Sequence, residues 1–151
     1  LKTLLKPRQW LRGGVLATML AVVGTATAIT SASAATAGCS VVPFTPRVES
    51  GYSVVATNST ACTGPVYNVR TSVKLLQYKL AWITAASSSA SWGTVSVSRY
   101  GYVNAWIHPQ PTAACYRYIT QASVSWTYSN GSPGVQTLYS PTTTLRLGGT
   151  C

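Results

Sequence analysis

His108 and Glu49 are the only histidine and the only carboxylate side chain in the chain. Acid–base chemistry therefore has little to draw on. A Ser-His-acid triad needs a carboxylate behind the histidine, and the sequence has no aspartate and no G-x-S-x-G turn to hold a nucleophile. Glycoside hydrolysis of the usual kind needs two carboxylates flanking the bond. Calcium asks for several oxygen ligands and catalytic zinc for three protein ligands. No Gly-rich phosphate loop is present. His108 precedes Pro109 and reads as a histidine at a turn. The expectation is a protein that is not an enzyme and takes no cofactor or metal.

Binding chemistry survives these exclusions. Tyr100, Tyr102, Asn104, Trp106 and His108 alternate with Gly101, Val103, Ala105 and Ile107. In a strand the two series point to opposite faces. The small apolar series suits a packed interior. The other series then forms a flat row of aromatics with polar tips, suited to stacking on sugar rings, aromatic groups or bases. The opposite orientation would put the aromatics in the core. Arg70 and Lys74 supply a second candidate, two pleats apart on the outer face of another strand, with Arg99 and Arg117 as further cations.

Several elements must position these residues. The chain opens with a basic stretch, Lys2, Lys6, Arg8 and Arg12, then a short apolar run over 15–23, then small residues ending in Ala32-Ser33-Ala34. That is the pattern of a helical secretory signal peptide over 1–34. Its apolar run is shorter than the ~20 residues a membrane span needs, although an uncleaved anchor has the same outline. Thr36-Ala37-Gly38-Cys39 also resembles the end of a lipobox. Residues 35–151 are then one domain, large enough for a single hydrophobic core. Once the leader is removed, seven of the eleven basic residues face one acid, a formal net charge of +6. Such a charge favours polyanions, but the cations are scattered and no nucleic-acid motif accompanies them.

Cys39, Cys62, Cys115 and Cys151 are even in number, as a disulfide framework in an exported domain requires. Cys39–Cys62 and Cys115–Cys151 each close a modest loop and tie down a terminus. Cys62–Cys115 across two sheets is the alternative.

The domain is rich in Ser, Thr, Val and Tyr, which favours strands. Period-two alternation is clear over 67–75, with Tyr67, Val69, Thr71, Val73 and Leu75 on the inner face. It is clearest over 116–128, with Tyr116, Tyr118, Thr120, Ala122, Val124, Trp126 and Tyr128 inside. Further strands are expected over 41–48 (at an edge, because of Pro43 and Pro46), 52–57, 94–98, 100–107 and 135–147, the last broken near Pro141. Residues 75–82 also fit one or two helical turns. The Ala/Ser run over 85–91 reads as an exposed flexible loop. About seven short strands with such turn spacing suggest an all-β, immunoglobulin-like Greek-key sandwich.

The whole pattern of alanine-rich leader, Ser/Thr/Tyr-rich strands and four cysteines resembles the small secreted immunoglobulin-like proteins of high-GC Gram-positive bacteria. The resemblance implies a fold and an extracellular location, and no site residues. The functional expectation is a secreted, monomeric binding domain at or near the cell envelope. Its partner would be an anionic envelope polymer or glycan, with no specific nucleic acid and no transmembrane segment in the mature chain. The alternative is a secreted inhibitor that presents residues 85–91 or 109–114 as a rigid loop to another secreted protein.

Overall fold

The computed structural model describes residues 36–50, 53–108 and 114–151. The expected leader lies outside them. The regular elements there are all strands: β1 (Gly38–Pro43), β2 (Arg47–Glu49), β3 (Ser53–Thr63), β4 (Val66–Lys79), β5 (Ala81–Val95), β6 (Ser98–Ile107), β7 (Tyr116–Tyr128), β8 (Pro133–Tyr139) and β9 (Thr143–Leu145). Among the described residues, no helix is long and apolar enough to cross a membrane.

The strands form two antiparallel sheets. In the first, β3 is central, with β1 and β2 end to end along one side and β6 along the other. In the second the order is β5, β4, β7, with β8 and β9 end to end along the outer side of β7. Nine strands thus fill seven places. Proline accounts for both split edges. Pro43 and Pro46 fall at the break between β1 and β2, and Pro141 between β8 and β9, where a missing N–H does least harm. At the second break Ser140 replaces ladder bonds: Thr120 N–H donates to Ser140 Oγ at 2.9 Å, and Ser140 N–H donates to the Thr120 carbonyl at 2.9 Å.

The chain passes from the first sheet to the second through Gly64 and a cis peptide bond to Pro65. It returns between β5 and β6 through Ser96 and Val97. The two passages touch, since Gly64 N–H donates to the Val97 carbonyl at 2.6 Å. A Cβ at position 64 would strike the backbone of Val95 and Ser96, so only glycine fits.

Four expectations are corrected. Residues 75–82 are not helical: they end β4 and begin β5 around a turn at Leu80. Residues 85–91 are not a loop but the middle of β5: 86–91 pair residue by residue with β4, and Ala85 falls at a register shift. They therefore cannot present the loop of the inhibitor reading, whose other segment, 109–114, lies outside the described residues except at Ala114. Tyr67 faces outward. Asn68 has φ 52°, and the register with both neighbouring strands shifts there. This bulge makes Val66 and Val69, three apart, the buried pair. Lastly, residues 94–98 are not one strand, because the passage between the sheets interrupts them.

Both cysteine pairs form, Cys39–Cys62 and Cys115–Cys151. The first joins opposed residues of β1 and β3. It also occupies the Cys39 sulfur that the thioether of a lipoprotein would require.

The interior holds two apolar clusters. Val41, Cys62, Val66, Val69, Ala122, Val124 and Trp126 belong to one. Val54, Ala56, Val73, Leu75, Val103, Ala105, Tyr118 and Leu147 belong to the other. Asn58 and Thr60 of β3 lie fully buried between residues of the two clusters. Asn58 Nδ2 donates to Thr71 Oγ1 (3.1 Å) and to the Ser72 carbonyl (3.2 Å), and its Oδ1 accepts from Val103 N–H (3.1 Å). Thr60 and Thr71 share a hydroxyl hydrogen bond of 2.6 Å. One asparagine thus ties β3 to β6 and, across the sheets, to β4. A buried amide of this kind is tolerable only when satisfied. Gly134 serves the first cluster, since any Cβ there would collide with the Trp126 indole.

Candidate functional site

β6 pairs with β3 over ten successive residues with no register shift. Its alternation is therefore unbroken. Val103 and Ala105 are buried, while Tyr100, Tyr102 and Trp106 are 59%, 58% and 55% exposed. Asn104 and His108 are exposed as well. The interior side of this strand therefore carries its small residues. Gly101 carries this furthest: the Trp92 ring of β5 lies 3.0 Å from where its Cβ would be.

Strand pairing adds residues that the linear sequence did not bring to the face. Val42 and Tyr102 both lie opposite Ser59, on its two sides, and Arg47 and Trp106 flank Val55 in the same way. Phe44 comes within 6.3 Å of the Tyr102 ring, centroid to centroid. Val42 and Phe44 are exposed. Their period-two spacing is a legible strand signal, but Pro43 and Pro46 obscured which face they occupy. Beneath this layer Val55, Thr57 and Ser59 of β3 are buried, while Ala61, opposite Tyr100, is exposed.

Tyr100 and Tyr102 stand edge to face at 5.1 Å, and their hydroxyls share a hydrogen bond of 2.7 Å. That shared hydrogen bond, and then repulsion from the Tyr100 phenolate when it forms, raise the Tyr102 pKa above its usual value. Trp106 lies four residues along from Tyr102, roughly 13 Å at strand rise. The face thus offers a tyrosine pair and a separate indole, with the amide of Asn104 between them.

Arg70 and Lys74 are not part of this face. They project from the outer side of β4, in the other sheet, while β6 borders the first. Packed sheets lie about 10 Å apart, so the basic pair and the aromatic row look out from opposite sides of the fold. Arg70 and Lys74 border a shallow concavity of about 560 Å³ floored by Ser72 and Val73 and walled by Ser87, Ser88 and Ser89. The other two candidate cations, Arg99 and Arg117, lie over aromatic rings. Arg99 lies 5.0 Å from the Trp92 ring centroid, and Arg117 lies 4.1 Å from that of Tyr78.

Glu49 lies 3.8 Å from Arg47, with both side chains about half exposed. β3 runs between β2, which carries Glu49, and β6, whose end precedes His108. Two strand spacings, about 9–10 Å, therefore separate the two backbones. Among the described residues no three His, Cys, Asp or Glu side chains gather to hold a metal. The scan against family models finds no match, and no curated protein matches the chain.

Proposed function

We propose that this is a secreted, non-enzymatic binding domain that acts at or near the cell envelope and takes glycan or anionic polymer on the outer face of β6. Residues 1–34 are the exported leader, and the rest is an immunoglobulin-like Greek key. The strand places β1/β2-β3-β6 and β5-β4-β7-β8/β9, with passages between sheets after β3, β5 and β6, support that topology.

One observation carries the binding reading: three aromatic side chains on a single strand face are each more than half exposed. The core does not need them there, because Val103 and Ala105 already fill it. Exposed aromatics of this kind stack on sugar rings and bring hydrogen-bonding tips to the rim. The basic residues act at longer range and from the other face. They concentrate an anionic polymer near the protein rather than gripping the same segment.

The test is co-sedimentation of the exported, oxidised protein with washed cell-wall material at low salt and at ~0.5 M salt, where the screening length falls to about 4 Å. Retention at low salt is the expected result. Retention that survives ~0.5 M salt and falls in Trp106→Ala assigns it to the aromatic face. No retention at either salt overturns the reading.

A further inference from the structure

The hairpin between β4 and β5 turns on one residue. Lys79 and Ala81 are paired, and Leu80 between them has φ 67° and is 97% exposed. Left-handed backbone is unfavourable for a leucine, and glycine or asparagine would take it more readily. Full exposure of the side chain is a second cost at the same position. Neither is needed to close the turn.

The neighbours of Leu80 share its character. Trp82 and Ile83 are exposed. Tyr78 meets Trp82 edge-on at 5.4 Å and carries the Arg117 guanidinium over its ring. Lys79 Nζ lies 6.0 Å from the Tyr116 ring centroid. The chain's one acidic side chain, Glu49, belongs to β2 in the other sheet and lies beside Arg47. The hairpin end therefore combines an apolar point, two amphipathic aromatics and two cations.

We propose that this hairpin end is a contact for an anionic lipid bilayer. Leu80, at the tip, enters the boundary of the acyl region. Trp82 and Tyr78 lie at headgroup level, where rings with one polar edge are favoured. Lys79 and Arg117 meet the lipid phosphates, and their attraction fades within a screening length. The contact uses neither the aromatic row of β6 nor the Arg70–Lys74 concavity, so it stands or falls independently of the glycan reading.

Flotation of the exported, oxidised protein with vesicles tests it, using phosphatidylcholine alone and an equal mixture with phosphatidylglycerol. Binding to the mixed vesicles and little to the neutral ones is expected. Leu80→Asn should weaken it about tenfold, the scale set by removing one buried leucine side chain from an apolar phase. Because asparagine suits a left-handed turn, the thermal midpoint of this variant should stay level or rise, which separates lost contact from lost folding. Lys79→Gln should lower binding and its salt dependence, and Trp106→Ala should float as the parent does. The proposal is overturned if mixed vesicles do not float the protein, which would leave the hairpin to an apolar pocket on another protein. Equal flotation of Leu80→Asn, or loss in Trp106→Ala instead, overturns it too.

Discussion

β5 and β6 occupy corresponding places, each the last strand of its sheet on the same side of the fold, and they turn opposite chemistry outward. β6 shows Tyr100, Tyr102 and Trp106, and β5 shows Ser87, Ser89 and Ser91. β6 alternates without a register shift over its length and buries Val103 and Ala105, whereas β5 alternates between two irregularities and only half-buries Ala86, Ser88 and Ala90. The fold thus constrains the inward series and leaves the outward one free. Serine is what a solvated strand face requires, whereas three uncovered aromatics are a cost that folding does not explain. The same contrast separates Leu80 from the polar turn around Asn130, whose Oδ1 accepts from Ser132 N–H and Oγ.

That contrast can be broken from beneath. Replacing Cys115 and Cys151 by serine removes a cross-link spanning 36 residues and should cost about 3–4 kcal/mol in a denaturant titration. Both outer faces should survive until the domain unfolds. Asn58→Ala strips three hydrogen bonds from the buried link between β3, β6 and β4, and should cost about 2–3 kcal/mol. If Asn58→Ala leaves stability unchanged, the two faces do not depend on a shared polar pin.

Smaller effects separate the faces from each other. Trp106→Ala should shift stability by no more than ~0.5 kcal/mol while reducing high-salt retention on wall material about tenfold, a loss of ~1.4 kcal/mol. Ser89→Ala on β5 should change neither. Arg70→Gln combined with Lys74→Gln should lower retention only at low salt, and equal loss at ~0.5 M salt would mean that the concavity on β4 grips the ligand itself. The smallest effect concerns buried Tyr118 against exposed Tyr102. Burial, and then the nearby Tyr116 phenol, raise the Tyr118 pKa above 10.0. The folded state holds this proton more tightly, so the contribution is whole below about pH 10 and is lost as pH rises through the folded value. Tyr118→Phe should flatten that alkaline decline in thermal midpoint, while also leaving Gln77 Nε2 without its bond to Tyr118 Oη.

How much was legible varied with the side chains. The expected strand over 116–128 matches β7 at both ends because large and small, apolar and polar, alternate across all of it. β5 sent no signal: Ala and Ser have little preference for strands, and their alternation carries no contrast. It forms because β4 offers a long ladder to complete. The period over 67–75 named the right inner residues from Val69 onward and failed at Tyr67, since one left-handed residue reverses parity without altering the amino-acid pattern.

By itself, the sequence determined the all-β class, the even cysteine set, the shortage of carboxylates and the two-sidedness of the strand over 100–107. These follow from composition and from the period of a single strand. Tertiary structure alone decided that Val42, Phe44 and Arg47 share a face with Tyr102 and Trp106, that Arg70 and Lys74 lie on the other side, and that Leu80 stands exposed at a hairpin end. Alternation says which residues of one strand look the same way. Which strands lie side by side, and in which sheet, is set by pairings between residues far apart in the chain.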